Sequence, residues 1–494
     1  MIVAGQGEAW PYRMLPTHLL FVLHPWMEGF LHLLQAVIPG LLCSILDRVS
    51  VMSSPVSPQR RQFGLAAAIA IVVGESIALG IFLTPATMAK SLGSPLLLGL
   101  VWMGVAWMAM CGALCYSELA IRFPESGGEY VYLRAGYGDR IAFLYGWMSS
   151  IVMYPGVAAA LAVGASAYVA QVLPLNSRAM VLVPTTILCA FGLINFMGTS
   201  LSGSLMTFIN ILKLVIMFAL VGWAVVSGHA HLSNLKPLAD RRPGSEALIP
   251  AIAGAVVSAF FSFGGWWEAS KIAGEVRNPK RTLPLAFLGG VALVSLIYLL
   301  ISAAFLAVLP IERLTSNTAF VAQFGEVLFG AAGAKLLSIC VLVCVFGGIA
   351  ALTMASPRVT YAMAKTGSFF PSFGRMHPRF GTPANAILLQ TFLSLGVLLL
   401  GAFDRVLAYI IFSAVLFLAL AASTLFRMNE PVRAWWFPAA PILFIALSIA
   451  IGLLILMHNP LPALMGVGIV LCGLPLHQFL TARQITAPIP NEGS

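Results

Sequence analysis

The chain has 494 residues, 60% of them hydrophobic and only 9% charged, with a mean hydropathy of +0.95. Water-facing surface needs charge, so a soluble globular domain is excluded; at roughly 20 apolar residues per crossing, a polytopic helical membrane protein is indicated. The formal net charge of +10 is read as Lys and Arg retained on the cytoplasmic side of a lipid bilayer, not as a nucleic-acid interface.

Residues 1–62 read as an N-terminal extension and leader. Met14 to Leu46 is apolar in patches broken by His18, His24, Pro25 and His32, and it lacks a signal-peptide cleavage site. It is either an interfacial helix or an over-extended start; the second is favoured, with translation beginning at Met52, and no function is assigned. From Phe63 onward apolar runs follow at Phe63–Ala89, Pro95–Ile121, Ile141–Leu173, Ala179–Phe196 and Ser202–Ser227. A second group comprises Ala247–Ala273, Leu283–Leu309, Val327–Ser356, Ala384–Ala402 and Arg405–Arg427. Phe437–Met457 and Leu461–Leu480 make about twelve spans. Most Lys and Arg in the connecting loops fall on one face, which places both termini in the cytoplasm. Arg241 and Arg242, in a loop expected outside, run against that pattern.

The first run holds Ile71-Val-Val-Gly-Glu-Ser-Ile-Ala-Leu-Gly-Ile-Phe-Leu-Thr-Pro85. Two glycines, a serine and a carboxylate at membrane depth predict an interrupted helix, with Gly74 and Gly80 letting the chain leave helical geometry. The sixth run holds Phe261-Ser-Phe-Gly-Gly-Trp-Trp-Glu268, and Gly264-Gly265 is a second interruption at the corresponding place. Broken first and sixth helices, in two groups of five oppositely oriented spans, are the inverted-repeat arrangement of secondary transporters. The expected layout is a first repeat over 63–228, a second over 247–427, and two further spans with a tail over 428–494. The fold class is thus all-α, polytopic, five plus five, with helices one and six broken.

At these residues the sequence resembles the amino acid–polyamine–organocation superfamily, and within it the L-type amino acid transporter branch and its bacterial permeases. Gly80-Ile81-Phe82 is similar to the end of the family's Gly-Ser-Gly-Ile-Phe signature, and Phe261-Ser-Phe-Gly-Gly-Trp266 to its sixth-helix motif. Tyr116-Ser-Glu-Leu-Ala-Ile-Arg122 with the following Gly127-Gly128-Glu129, and Glu275-Val-Arg-Asn-Pro279, resemble the loops after helices two and six. One departure stands out: Ala78-Leu79 replaces Gly-Ser before the last glycine, removing a hydroxyl and adding bulk. The resemblance implies an amino acid substrate held between the breaks. Its carboxylate meets amides near Ala78, Leu79 and Gly80, with Ser76 and Ile77 also counted among the substrate-binding residues. Its ammonium meets carbonyls of Phe261, Ser262, Phe263 and Ile77, beside Gly264 and Gly265, with Phe261 as an aromatic gate.

Lys213 lies deep in the fifth run, where an ammonium is functional by default. Sodium-independent members of the family carry a lysine there, so Lys213 is expected to couple the first and eighth helices near Gly74, Ile77 and Thr353. Glu75 is the second coupling residue, paired with Lys213 or taking up a proton. Glu268 and Glu275 flank Lys271 at i,i+3 and i,i+4, a ladder read as helix support. The resemblance adds a role for Glu275 and the Arg122 loop in closing the cytoplasmic side. The seven cysteines lie in apolar segments without a metal-ligand set, and no nucleotide motif or nucleophile constellation occurs. The expected function is a sodium-independent permease or exchanger of neutral amino acids in the plasma (inner) membrane, not an enzyme, with no metal, cofactor or accessory subunit. A cationic amino acid or polyamine carrier, and a non-transporting sensor of the same fold, are the alternatives.

Overall fold

The computed structural model describes residues 61–486 apart from 174, 314–316 and 402; the expectations for residues 1–60 lie outside them. Among the described residues there is no strand, only an isolated bridge between Phe63 and Val276. Nine helices are long and apolar enough to cross a membrane, and the bent pair Leu65–Ser76 and Gly80–Leu92 supplies one further span. The shorter apolar helices Ala384–Leu399 and Ile411–Phe426 fall on the ninth and tenth predicted runs, so helical structure occupies all twelve segments. Local chemistry fixes several starts. Pro95 opens the second span behind Ser94, whose hydroxyl accepts from Leu97 N–H at 3.4 Å. Asn176 caps the fourth span by accepting from Ala179 N–H at 2.8 Å.

The packing follows an offset of five. The first span lies against the sixth, the second against the seventh, the third against the eighth and the fourth against the ninth. Because successive spans reverse direction and five is odd, each such pair is oppositely oriented in the membrane. The first span, which also touches the fifth, seventh and eighth, is therefore enclosed; Ile71, Val72, Val73 and Ile77 have no exposed surface.

The loop between the fifth and sixth spans explains Arg241 and Arg242. Arg241 donates to Leu92 O at 2.9 Å, and Arg242 donates to Gly93 O at 3.2 Å and pairs with Glu312. Gly93 has φ +67°, and a Cβ there would lie 1.8 Å from Ser245 Oγ. These arginines staple a loop to the ends of the first and seventh spans, and their side chains are spent on protein carbonyls instead of marking a membrane face.

Candidate functional site

Helical bonding fails in the first span at Ile77, Ala78 and Leu79, and the flanking half-helices meet at 44°. The glycines act differently from the expectation. Gly74 stays helical, and Gly80 begins the second half-helix; neither has positive φ. What each requires is close approach. A Cβ on Gly74 would sit 2.8 Å from both Ala351 Cβ and Asn210 Nδ2, and one on Gly80 2.8 Å from Ser262 Oγ. In the sixth span, Leu248–Phe263 ends at Gly264, Gly265 turns left-handed at φ +98°, and Trp266–Glu275 continues as 3₁₀-helix. Only glycine suits that φ without strain. A Cβ on Gly265 would also lie 2.3 Å from Glu75 Cβ.

The two breaks therefore touch. Thr84 Oγ1 and Ser262 Oγ are 2.9 Å apart. Tyr298, from the seventh span, directs its hydroxyl to Ser76 O at 2.5 Å and Ser262 O at 2.6 Å. It is fully buried and packs edge-on to Phe263 and Trp102. One hydroxyl hydrogen thus serves carbonyls from both breaks. Sequence reading missed Tyr298; its signal was a hydroxyl-bearing ring alone in the apolar seventh run.

Ala78 N–H donates to Ser76 O and Phe82 N–H to Leu79 O, each at 3.1 Å. Ala78 is thus already engaged, while the N–H groups of Gly80 and Ile81 open a half-helix and have no intrahelical acceptor. Among the carbonyls expected to meet an ammonium, Phe261 O accepts from Gly264 N–H at 3.1 Å, Ser262 O from Tyr298, and Ile77 O from Lys213. Each retains one lone pair. The bulk of Leu79 points at the third span: a Cβ on Gly164 would be 2.3 Å from Leu79 Cδ1. Phe261 is 38% exposed, whereas the ring that packs between the breaks is Phe263.

Lys213 is fully buried and donates to Gly74 O at 3.0 Å and Ile77 O at 2.5 Å. A Cβ on Gly347 would lie 2.9 Å from its Nζ, so the eighth-span contact is Gly347. Thr353 is engaged elsewhere, accepting from Asn195 Nδ2 at 2.9 Å. The expected Glu75–Lys213 pair is absent among the described ion pairs, because the ammonium is directed at the carbonyls of the break. Glu75 Oε1 is enclosed and has no hydrogen-bond partner.

The Glu268–Lys271–Glu275 ladder forms only in part. Lys271, with no exposed surface, lies 2.8 Å from Glu268 Oε1 and 3.0 Å from Glu129 Oε2. At three residues per turn, i and i+3 eclipse but i+4 rotates away. Glu275 accordingly leaves Lys271 and takes Arg358 of the eighth span in a two-pronged contact at 2.9 and 3.0 Å; Arg358 also donates to Met354 O. The same end is closed by the backbone, since Gln62 and Phe63 N–H donate to Glu275 O and Arg277 N–H to Phe63 O. Lys271 and Arg358 are both buried in ion pairs. Arg122 pairs with Glu118 at 2.8 Å and donates to Glu430 O at 2.8 Å.

A family model described as amino acid permease matches residues 63–472. The serine/threonine exchanger SteT of Bacillus subtilis is 28% identical over 86% of this chain and 98% of its own length. The human b(0,+)-type amino acid transporter 1 is 27% identical over 75% of this chain and 76% of its own. The human large neutral amino acids transporter small subunit 2 is 26% identical over 85% and 80%. That last name describes one part of an assembly, so the expected lack of an accessory subunit gains nothing from these relatives. The match spans both breaks, Lys213 and the Glu275–Arg358 ion pair, and the chain belongs to the amino acid permease family.

Proposed function

We propose that this permease carries neutral L-amino acids across the plasma membrane by sodium-independent alternating access, exchanging substrate between its two sides, with both termini in the cytoplasm. The observation that carries this reading is the Lys213 ammonium seated on Gly74 O and Ile77 O. Carbonyls at an unwound membrane helix are where a coupling cation would otherwise bind, and a fixed ammonium there removes the need for one. The substrate carboxylate meets the open amides of Gly80 and Ile81, with Ser76 to Leu79 forming the wall. Its ammonium takes the remaining lone pairs of Phe261, Ser262 and Phe263, beside Gly264 and Gly265. Phe261, with its exposed ring, is the gate over this site, and Glu275 with Arg358 closes the opposite end. The neutral assignment rests on apolar walls and on the name of the serine/threonine exchanger. Glu268 is engaged by Lys271 at 2.8 Å, which weakens the cationic-substrate alternative.

The test is uptake of a labelled amino acid panel into proteoliposomes, with and without internal amino acid and with sodium varied. Counterflow of small neutral amino acids that ignores sodium is expected. Sodium-driven uptake overturns the role given to Lys213, and no flux of any amino acid overturns carriage itself in favour of a sensor.

A further inference from the structure

At the membrane face where the second and tenth spans end there is a cavity of about 610 Å³ that the transport reading does not use. It lies between the end of the second span and the segment joining the tenth and eleventh. Glu118, Arg122, Glu430, Pro431, Arg433 and Ala434 line it. Arg122 builds its floor. Its Nε donates to Glu118 Oε1 at 2.8 Å, and its terminal nitrogens donate to Glu430 O at 2.8 Å and Pro431 O at 3.4 Å. A guanidinium carries five N–H groups, so two are left over. The backbone of the joining segment is thus pinned to the second span, with Val432 buried behind it.

The side chains on either side of Val432 are not spent in this way. Glu430 and Arg433 are exposed, and neither side chain has an ion pair or hydrogen bond among the described residues, not even with the other. The cavity therefore presents a bare carboxylate and a bare guanidinium three residues apart, while Glu118 and Arg122 compensate each other. The ligand that fits carries an anion and a cation a few bonds apart. Its source follows from depth. Trp435, next to the cavity, is 94% exposed, Phe426 is exposed and packs on Phe437 at 5.2 Å, and the eleventh span starts at Ala439. Exposed aromatic rings at the ends of spans sit at the level of the lipid headgroups. A cavity at that depth faces phospholipid.

We infer that this cavity binds the headgroup of phosphatidylethanolamine. Arg433, with the spare N–H groups of Arg122, takes the phosphate, which suits the guanidinium fork. Glu430 accepts from the primary ammonium, and Trp435 lies along the glycerol and upper acyl chains. Phosphatidylcholine has the same charges but no N–H to give Glu430. Phosphatidylglycerol has no cation and leaves Glu430 facing an anionic lipid. The bound lipid ties the joining segment to the second span.

The experiment reads lipid binding and no amino acid flux, so it stands apart from the carrier reading. The full chain, purified in detergent, is mixed with equimolar phosphatidylethanolamine, phosphatidylcholine and phosphatidylglycerol of identical acyl chains, and retained lipid is counted by native mass spectrometry. Phosphatidylethanolamine is expected to be retained about fivefold over each of the others, the scale of a half-exposed ionic contact. Glu430→Gln removes the preference over phosphatidylcholine, and Arg433→Gln lowers phosphatidylethanolamine to the level of the other two. Both side chains are exposed, so the substitutions leave the core packing intact. Glycerophosphoethanolamine, the same headgroup without its tails, is expected to displace little lipid at equal concentration; full displacement would assign the cavity to a free solute and overturn the lipid. Equal retention of phosphatidylethanolamine and phosphatidylcholine, a preference for phosphatidylglycerol, or an unchanged preference in either variant overturns the inference as well.

Discussion

Lys213 shows how one side chain does what its neighbours cannot. Two of the three N–H groups on one nitrogen satisfy the Gly74 and Ile77 carbonyls that the broken first helix leaves open. Lys213→Ala strands Gly74 O and Ile77 O, at about 1–3 kcal/mol for each buried group left unsatisfied. Serine counterflow is expected to be lost while protein remains in the membrane fraction, and full counterflow in a proteoliposome assay contradicts this. Tyr298→Phe removes one hydroxyl shared by both breaks without changing ring packing. A loss of about 1–3 kcal/mol should appear as a lower melting temperature of the purified protein in detergent. Leu79 and Gly164 form a matched pair: Leu79→Ser opens space on the third-span side. It is expected to shift competition in the uptake assay toward bulkier amino acids.

Within elements, helix type decides which charges meet. The sixth span continues past its break as 3₁₀-helix, so Glu268 reaches Lys271 and Glu275 is released to Arg358. Removing one partner of a buried ion pair costs about 3–5 kcal/mol because the other charge is left bare. Glu275→Gln should therefore lower the thermal stability of the protein as well as alter exchange kinetics. The double variant Glu275→Gln with Arg358→Met should recover part of that stability, and a double-mutant cycle with no coupling would refute the pairing. Gly265→Ala places a Cβ at φ +98° against Glu75, and little folded protein by fluorescence-detected size exclusion is the expected outcome.

At the scale of the molecule, alternating access needs one end tied while the other opens. The two ends are tied differently. One is held by the buried Arg358–Glu275 pair and the Phe63–Val276 bridge. The other is held by a loop whose Arg241 and Arg242 grip the carbonyls of Leu92 and Gly93. Arg242→Gln is expected to loosen that second end without touching the substrate site. Faster labelling of a cysteine introduced at Ala78 checks it, with unchanged labelling as the contrary result.

The apolar runs, the two interruptions and the lone lysine were legible in the chain, because a bilayer forces long hydrophobic helices and makes each exception costly. Glu75, Lys213, Gly264 and Gly265 stood out for that reason. What no spacing could reveal were partners far apart in sequence: Tyr298 for Ser76 and Ser262, Arg358 for Glu275, Glu129 for Lys271, Gly164 for Leu79. Nor could periodicity tell that Gly74 and Gly80 serve close approach while Gly265 alone supplies an unusual φ. The sequence by itself determined that the chain crosses the membrane and where its helices break, since those follow from local composition. Which buried charge is paired, and which carboxyl oxygen is left without a donor, was decided only when the tertiary structure brought the first, fifth and sixth spans together, since electrostatic compensation depends on distance in space.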